Sequence, residues 1–344
     1  MTMKTMYRAM QVGPGGMLEL VERPIRYPDA DQVLIRVEAC GVCGADASDI
    51  ERADPTSLSR RVPGHEVVGR IEAMGINVPP MWKVGQRVGV GRMGGHCNQC
   101  DQCRQGRFHL CRSQPIVGAS IDGGYAEMML ARSTGLVAIP DELDAVESAP
   151  ILCAGIATFN ALRKCGAEAG DLVAVLGIGG LGHMALQYAR RMGFRVAAIG
   201  RGQDIAQDAL ALGAHVYIDS AQGDASAALK QMGGAAAIIA TANDSSAVST
   251  IVGGLAPSGR MVVLGVGKDP LSIPAGFLVG GERAIVGSIT GSPMENERAL
   301  GFSVLTDARP WVETLPFERA NEAYRRMKSG EAKFRMVLTM GGQG

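Results

Sequence analysis

The chain reads as an α/β protein in two parts, a doubly wound parallel sheet set between the pieces of a β-rich remainder. Three observations predict this. From Leu172 onward, short apolar strands alternate with helical stretches, the order that builds a parallel sheet covered on both faces. Before about residue 150, alternating apolar positions are split by Gly and Pro, the texture of β-rich structure. After Gly291 the alternation stops, and the closing segments fit the first part better than an extension of the repeat.

Taken in order, 32–39 alternates through Val33, Ile35 and Val37, and 85–91 and 125–130 are further strand-like runs. A helical pattern starts near Ala145, carries Cys153 and reaches Leu162. Strands are predicted at 172–176, 195–199, 215–218, 235–240, 260–266 and 284–289, with helical stretches between them. Helices near 295–305 and 317–327 and a strand at 334–339 close the chain. The expected division is 1–154 with 291–344 as one domain and 155–290 as the other.

The first parallel strand runs into Gly177-Ile178-Gly179-Gly180-Leu181-Gly182, and Leu181, Met184, Ala185, Tyr188, Ala189 and Met192 then recur at helical spacing. G-x-G-x-x-G between a strand and a helix is a dinucleotide-binding turn. Gly177 permits the tight turn, Gly179 lets a pyrophosphate approach the backbone, and Gly182 lets helix pack on strand. With Gly180 and Leu181 completing the turn, the helix start offers N–H groups and positive dipole to that pyrophosphate. A glycine-rich turn without a ligand is the alternative, and the strand–helix context disfavours it.

The totals narrow the class. The 344 residues suit two domains, and 47% hydrophobic with 4% aromatic residues implies aliphatic, glycine-dense cores. Lys and Arg number 34 against 34 Asp and Glu, which argues against a nucleic-acid or anionic-membrane partner. No apolar run approaches the ~20 residues that span a bilayer, and the start, Met1 to Tyr7, lacks the apolar core of a signal peptide. The expected location is cytoplasmic, where cysteines stay reduced and bind metal more often than they pair.

Cys97, Cys100, Cys103 and Cys111 give C-x2-C-x2-C-x7-C, four thiolates on a short loop. That set suits a closed, structural zinc site. An iron–sulfur cluster is the rival, but the bacterial ferredoxin run closes with x3-C-P. A second set is dispersed: Cys43 in Cys40-Gly41-Val42-Cys43-Gly44-Ala45-Asp46, His65-Glu66 after Pro63-Gly64, and Cys153 after Pro150-Ile151-Leu152. Singly, each has an ordinary reading as a hydrogen-bonded histidine or a small buried hydrophobe, and spacing alone does not assemble them.

The order Cys43, His65-Glu66, four-cysteine loop, Cys153 and G-x-G-x-x-G, closed by Phe334-Arg335-Met336-Val337-Leu338, resembles the zinc-dependent alcohol dehydrogenases of the medium-chain dehydrogenase/reductase superfamily. The resemblance covers essentially the whole chain. It implies a GroES-like β-rich catalytic domain around an inserted Rossmann domain, and two zinc ions per chain, one catalytic and one structural. By that resemblance Cys43, His65 and Cys153 are the catalytic ligands, and Glu66 is the acid that can enter the metal's coordination sphere. Asp46 is the carboxylate orienting His65, a partner that ligating histidines generally have; a local cap or surface charge is the plainer reading of Asp46 and Glu66. Hydride transfer between NAD(P)(H) and an alcohol or its aldehyde or ketone is the implied reaction, with zinc as Lewis acid. The implied partner is a small-molecule substrate, and the implied assembly a homo-oligomer, tetramer or dimer.

Three positions depart from the family pattern. Ala45 stands where relatives carry the hydroxyl of a proton relay, and Ser48 where many carry a histidine, so the expected route runs through water with Ser48 as a link. Arg92-Met93 lies where relatives place a bulky aromatic, so Arg92 either meets a polar or anionic substrate or points to solvent. Loss of the relay hydroxyl also resembles relatives that reduce the C=C bond of unsaturated carbonyls, the alternative chemistry. A zinc-independent quinone reductase should lack the dispersed ligands, and a non-enzymatic protein on the same fold is the remaining alternative.

For the nicotinamide, an NAD enzyme should place Asp or Glu at the end of the second parallel strand. Gly200 occupies that place and Arg201 follows, a pair that favours NADP(H), since a guanidinium matches a 2′-phosphate. Asp204 is expected as the N-cap of the next helix, or as an alternative ribose partner. The resemblance puts Gly265, Val266 and Ile289 along the nicotinamide and Arg335 at the pyrophosphate, while His183 reads as structural.

Overall fold

The structure is a computed structural model that describes residues 5–51 and 60–341. It divides into two compact units, Met1–Cys153 with Gly291–Gly344, and Ala154–Thr290. Among the described residues the first unit opens with β1 (Met6–Val12), β2 (Leu18–Pro24), β3 (Gln32–Val42), β4 (Val67–Met74), β5 (Arg87–Val90), β6 (Met128–Arg132) and β7 (Leu136–Ala138). The second unit holds β8 (Leu172–Leu176), β9 (Arg195–Gly200), β10 (Val216–Asp219), β11 (Ala235–Ala240), β12 (Leu255–Val263) and β13 (Ala284–Gly287). The chain then returns through β14 (Val312–Pro316) and β15 (Arg335–Thr339).

In the first unit β1 and β2 form an antiparallel hairpin, and the main sheet runs β14-β15-β3-β4-β5-β7 with β6 also paired to β3. The C-terminal strand β15 lies antiparallel to β3, Met336 opposite Val42 and Leu338 opposite Cys40. This pairing makes the two ends of the chain one sheet. Ile35, Val37, Val67, Ile71, Val88, Val90, Tyr125, Phe317, Met336 and Leu338 share one buried cluster. Burying each such side chain is worth roughly 1.5–3 kcal/mol, so the returning segment is bound by its core residues as well as by its ladder.

The second unit is a six-stranded parallel sheet in the order β10-β9-β8-β11-β12-β13. Every residue of β8 is buried, as a central strand covered on both faces requires. The strand order reverses between β8 and β11, and in such sheets ligands bind beyond the carboxyl ends of the strands at that reversal.

Several boundaries differ from the sequence expectation. β12 is Leu255–Val263 rather than 260–266. It begins earlier because Leu255 pairs with Ala235 across a register shift. It ends earlier because Leu264 and Gly265 both donate to Ala240 O, at 2.9 and 3.2 Å, and turn the chain off the sheet. The helical pattern from Ala145 proves to be two α segments, Ala145–Pro150 and Ile156–Lys164, joined by a π turn over Ile151–Gly155. That helix, Ala145–Lys164, is also long and apolar enough by length and composition to cross a bilayer, against the expectation that no run would be. Buried for 83% of its apolar window, it is a core helix of the fold.

Candidate metal and nucleotide sites

Four dispersed residues of the first unit meet. Cys43 is the first residue beyond β3, His65 and Glu66 immediately precede β4, and Cys153 sits in the π turn, the kind of helix irregularity that often presents a functional side chain. One donor atom from each of Cys43, His65, Glu66 and Cys153 lies within 4.8 Å of every other, and all four residues are buried. The Cys43 and Cys153 sulfurs are 3.8 Å apart.

Asp46 organises the cluster. Its Oδ1 is 2.7 Å from His65 Nδ1, and its Oδ2 accepts the Cys43 N–H at 3.0 Å and the Tyr125 hydroxyl at 2.9 Å. With Nδ1 committed to Asp46, the ring presents Nε2, which is buried without a hydrogen-bond partner, as is Glu66 Oε2. A buried polar atom left unpaired is unfavourable by a few kcal/mol. Two such atoms beside two thiols make a donor set that fits a tetrahedral zinc ion.

Burial and mutual contact set the titration directions of the cluster. Contact with the Cys153 thiol holds the Cys43 thiol well below its ordinary range against the opposing effect of burial, and Cys153 itself is pushed up by that same contact and by burial. Burial opposes charge on His65, yet Asp46 and Cys43 outweigh it and push the ring up to about 10. Burial raises Glu66 to about 7 although the Arg335 guanidinium pulls the other way. Arg335, expected at a pyrophosphate, is placed in the interior of the first unit at 3% exposure with its Nη2 on Glu66 Oε1.

The surrounding residues divide. Ser48 is exposed on the helix Asp46–Glu51, and its hydroxyl donates to Ala45 O at 2.9 Å. Arg92 is a quarter exposed, and its guanidinium is engaged by a carboxylate. It pairs with the half-buried Asp49 at 2.7 and 3.4 Å, and its Nη1 is also 3.4 Å from His65 Nδ1. Sequence reasoning missed Asp49 as its partner and Tyr125 as a support of Asp46. The Gly123-Gly124-Tyr125 run, two glycines before a tyrosine, was the only available signal.

The four-cysteine loop closes on itself. Donor atoms of Cys97, Cys100, Cys103 and Cys111 also lie within 4.8 Å of one another. Cys97 Sγ accepts the Cys100 N–H at 3.4 Å and lies 3.6 Å from Cys111 Sγ. Asn98 adopts φ 60°, the left-handed turn that lets the loop double back. Backbone N–H groups of Gln99 and Cys100 hold Cys97 down to about 6, while burial and donation to its neighbours push Cys103 up to about 12. His96 stacks on Phe108 with 4.2 Å between ring centroids, closing the loop at its base.

In the second unit the glycine turn follows β8. Gly177 has φ 92° and donates its N–H to Ile199 O at 2.9 Å. A Cβ on Gly182 would lie 1.9 Å from Gly177 O, whereas one on Gly179 would meet nothing within 4 Å. The first contact enforces close packing of the helix Gly182–Arg191, and the second leaves the backbone approachable. Gly180 O meets His183 Nδ1 at 2.9 Å, and His183 is buried.

Gly200 ends β9, and a Cβ there would lie 2.5 Å from the Tyr217 hydroxyl, which donates to Gly202 O. Asp219 at the end of β10 accepts N–H groups from Gly202 at 2.8 Å and Ala221 at 2.9 Å. Arg201 is exposed. Asp204 is not a cap: the helix Ala206–Ala211 starts from Ile205 with no side-chain cap. Gly265 packs against Ala242 O, Val266 is 86% exposed with its N–H on Asn243 Oδ1, and Ile289 is 52% exposed, all beyond the carboxyl ends of strands.

Comparison with known proteins agrees with this layout. Residues 29–141 match the alcohol dehydrogenase GroES-like domain, and residues 180–304 match the zinc-binding dehydrogenase domain. The alcohol dehydrogenase notN of Aspergillus sp. (strain MF297-2) is 41% identical over 337 residues, covering 98% of each chain. The acetophenone reductase of Geotrichum candidum, solved with NAD, is 27% identical with a TM-score of 0.87 over 98% of each chain. A zinc-binding dehydrogenase of Sinorhizobium meliloti bound to NADP is 26% identical with a TM-score of 0.86, covering 98% of this chain and 100% of that one. The chain thus carries both family domains, in order, the first with a buried sulfur–nitrogen donor cluster and the second with a dinucleotide turn: it belongs to the zinc-type alcohol dehydrogenases of the medium-chain dehydrogenase/reductase superfamily, enzymes that oxidise alcohols and reduce the corresponding carbonyls.

Proposed function

We propose that the enzyme prefers NADP(H) and carries two zinc ions, a catalytic one on Cys43, His65 and Cys153 with Glu66 as the exchangeable fourth ligand, and a structural one on Cys97, Cys100, Cys103 and Cys111. The observation that supports the catalytic assignment is the meeting of four buried donors in which His65 Nε2 and Glu66 Oε2 have no other partner. Bound there, zinc would supply a Lewis acid for the alcohol or carbonyl oxygen. The nicotinamide would supply or accept the hydride.

The chain's own residues do the rest. Asp46 fixes the tautomer of His65, so that Nε2 faces the donor cluster. Arg335 holds one oxygen of Glu66, and the other stays available for exchange at the metal. Ala45 offers no hydroxyl, so the reacting proton leaves through water, with the exposed Ser48 as its link to solvent. At the adenosine end, Tyr217 fills the space where a carboxylate would grow from Gly200, and the adjacent Arg201 is the guanidinium for a 2′-phosphate. The reading extends to a cytoplasmic homo-oligomer, tetramer or dimer, by family resemblance alone.

The test combines metal analysis with oxidation of NADPH and NADH against aldehydes, ketones and enals. The expected result is two zinc ions per chain, aldehyde-dependent turnover, and kcat/KM at least ~10-fold higher with NADPH, an advantage removed largely by Arg201→Ala. Equal use of both nucleotides would overturn the NADP(H) assignment. Turnover confined to enals would favour C=C reduction, the reading that Ala45 supports.

A further inference from the structure

One buried phenol is built into the support of the donor cluster. Tyr125 reaches Asp46 from 79 residues along the chain and donates to Oδ2 at 2.9 Å, while Oδ1 of the same carboxylate holds His65 Nδ1 at 2.7 Å. The backbone around Tyr125 is laced to the segment that delivers His65. Gly123 N–H donates to Val62 O at 2.7 Å, Gly124 N–H to Gly64 O at 2.9 Å, and Tyr125 N–H to Pro63 O at 3.0 Å. Gly64 has φ 95°, and a Cβ there would lie 2.3 Å from Tyr125 Cδ1, so glycine lets the ring pass directly beneath the residue before the ligand. Ring, loop and carboxylate are therefore fixed by one another.

A carboxylate offers about four acceptor sites and turns about its terminal bond unless both oxygens are engaged. Without the phenol, Oδ2 would keep only the Cys43 N–H at 3.0 Å, and Oδ1 would be held less firmly on the imidazole. We propose that Tyr125 is a positioning residue of the metal centre: through Asp46 it locks the orientation of His65, and so sets how tightly Cys43, His65 and Cys153 hold their ion. This rests on the assignment of a zinc ion to those three residues.

The experiment follows zinc transfer from the full-length, zinc-loaded enzyme to an excess of chelator. Wild type should release zinc in two phases, and Cys153→Ala identifies the phase belonging to the Cys43 cluster. Tyr125→Phe should accelerate that phase about 10-fold, the lower end of what removing an outer partner of a ligating histidine does. It should leave the four-cysteine phase unchanged, and should shift the visible bands of the cobalt-substituted enzyme. Unchanged release and unchanged bands, or equal acceleration of both phases, would overturn the proposal, since a purely structural role loosens both sites or neither. A wild-type enzyme with a single phase that persists in Cys153→Ala would instead overturn the zinc assignment itself. Should Tyr125→Phe not fold, Tyr125→4-aminophenylalanine, nearly isosteric but a weaker donor to Asp46, takes its place. Selective acceleration of the Cys43-cluster phase supports action through Asp46, and unchanged release or equal acceleration of both phases overturns it.

Discussion

At Gly200 the absence of one carbon has two effects. It removes the carboxylate that would meet a ribose hydroxyl, and it makes room for the Tyr217 hydroxyl, 2.5 Å from where a Cβ would stand. Gly200→Ala therefore overpacks the site, with an expected loss of about 1–3 kcal/mol in denaturant unfolding. Gly200→Asp alone should lose stability without gaining NADH turnover; pairing it with Tyr217→Ala relieves the overlap. Asp219 steadies the same loop. N–H groups of Ala221 and Gly202 hold its carboxyl below the ordinary 3.8, so its contribution is complete above that value and disappears as pH falls through the depressed one. Asp219→Asn should lower Tm at pH 7, and the difference from wild type should shrink toward pH 3. At this scale the sequence was legible where a motif names its residues, as at Gly177, Gly182 and Cys43. It was opaque where the partner comes from elsewhere in the chain. The sequence offers two readings of Arg92, substrate or solvent, and gives no sign of Asp49, the carboxylate 43 residues away that the structure pairs with it.

Elements were legible through their cores and poorly legible at their ends. β8 and β11 fall where apolar runs put them. β12 does not, because its start depends on a register shift against Ala235 and its end on the Ala240 carbonyl. The π turn at Ile151–Gly155 had no periodic signature either, since one irregular turn is too short to change the hydrophobic period. By contrast, the helix Pro293–Thr306 carries its start signal openly: Ser292 and Glu295 form a capping box with Pro293 at the first position. Ser292→Ala should reduce stability by about 1 kcal/mol in chemical unfolding and leave turnover unchanged.

For the whole molecule, the order of motifs along the chain carried more information than any one of them. No spacing rule joins Cys43, His65 and Cys153, and only β3, β4 and the helix from Ala145 bring them together. The four-cysteine loop is self-contained, which makes it separable by experiment. Chelation should loosen the backbone around the already exposed Arg104, Arg107 and Arg112, read as new tryptic cleavage within 97–112 on a gel, and nucleotide protection of the second unit should persist. Held by thiolates, the loop should resist cleavage when zinc is restored.

The pairing of β15 with β3 has a temporal side. A ribosome releases Gln32–Val42 long before Arg335–Thr339 exists, so the sheet beside Cys43 waits, one neighbour short, while about 290 further residues are made. Residues Ala154–Thr290 lie uninterrupted between the halves and need no such patience. A polypeptide stopped near residue 300 should thus retain nucleotide affinity in a fluorescence titration while failing to take up metal at Cys43, because neither the strand beside Val42 nor the guanidinium that meets Glu66 has yet been made.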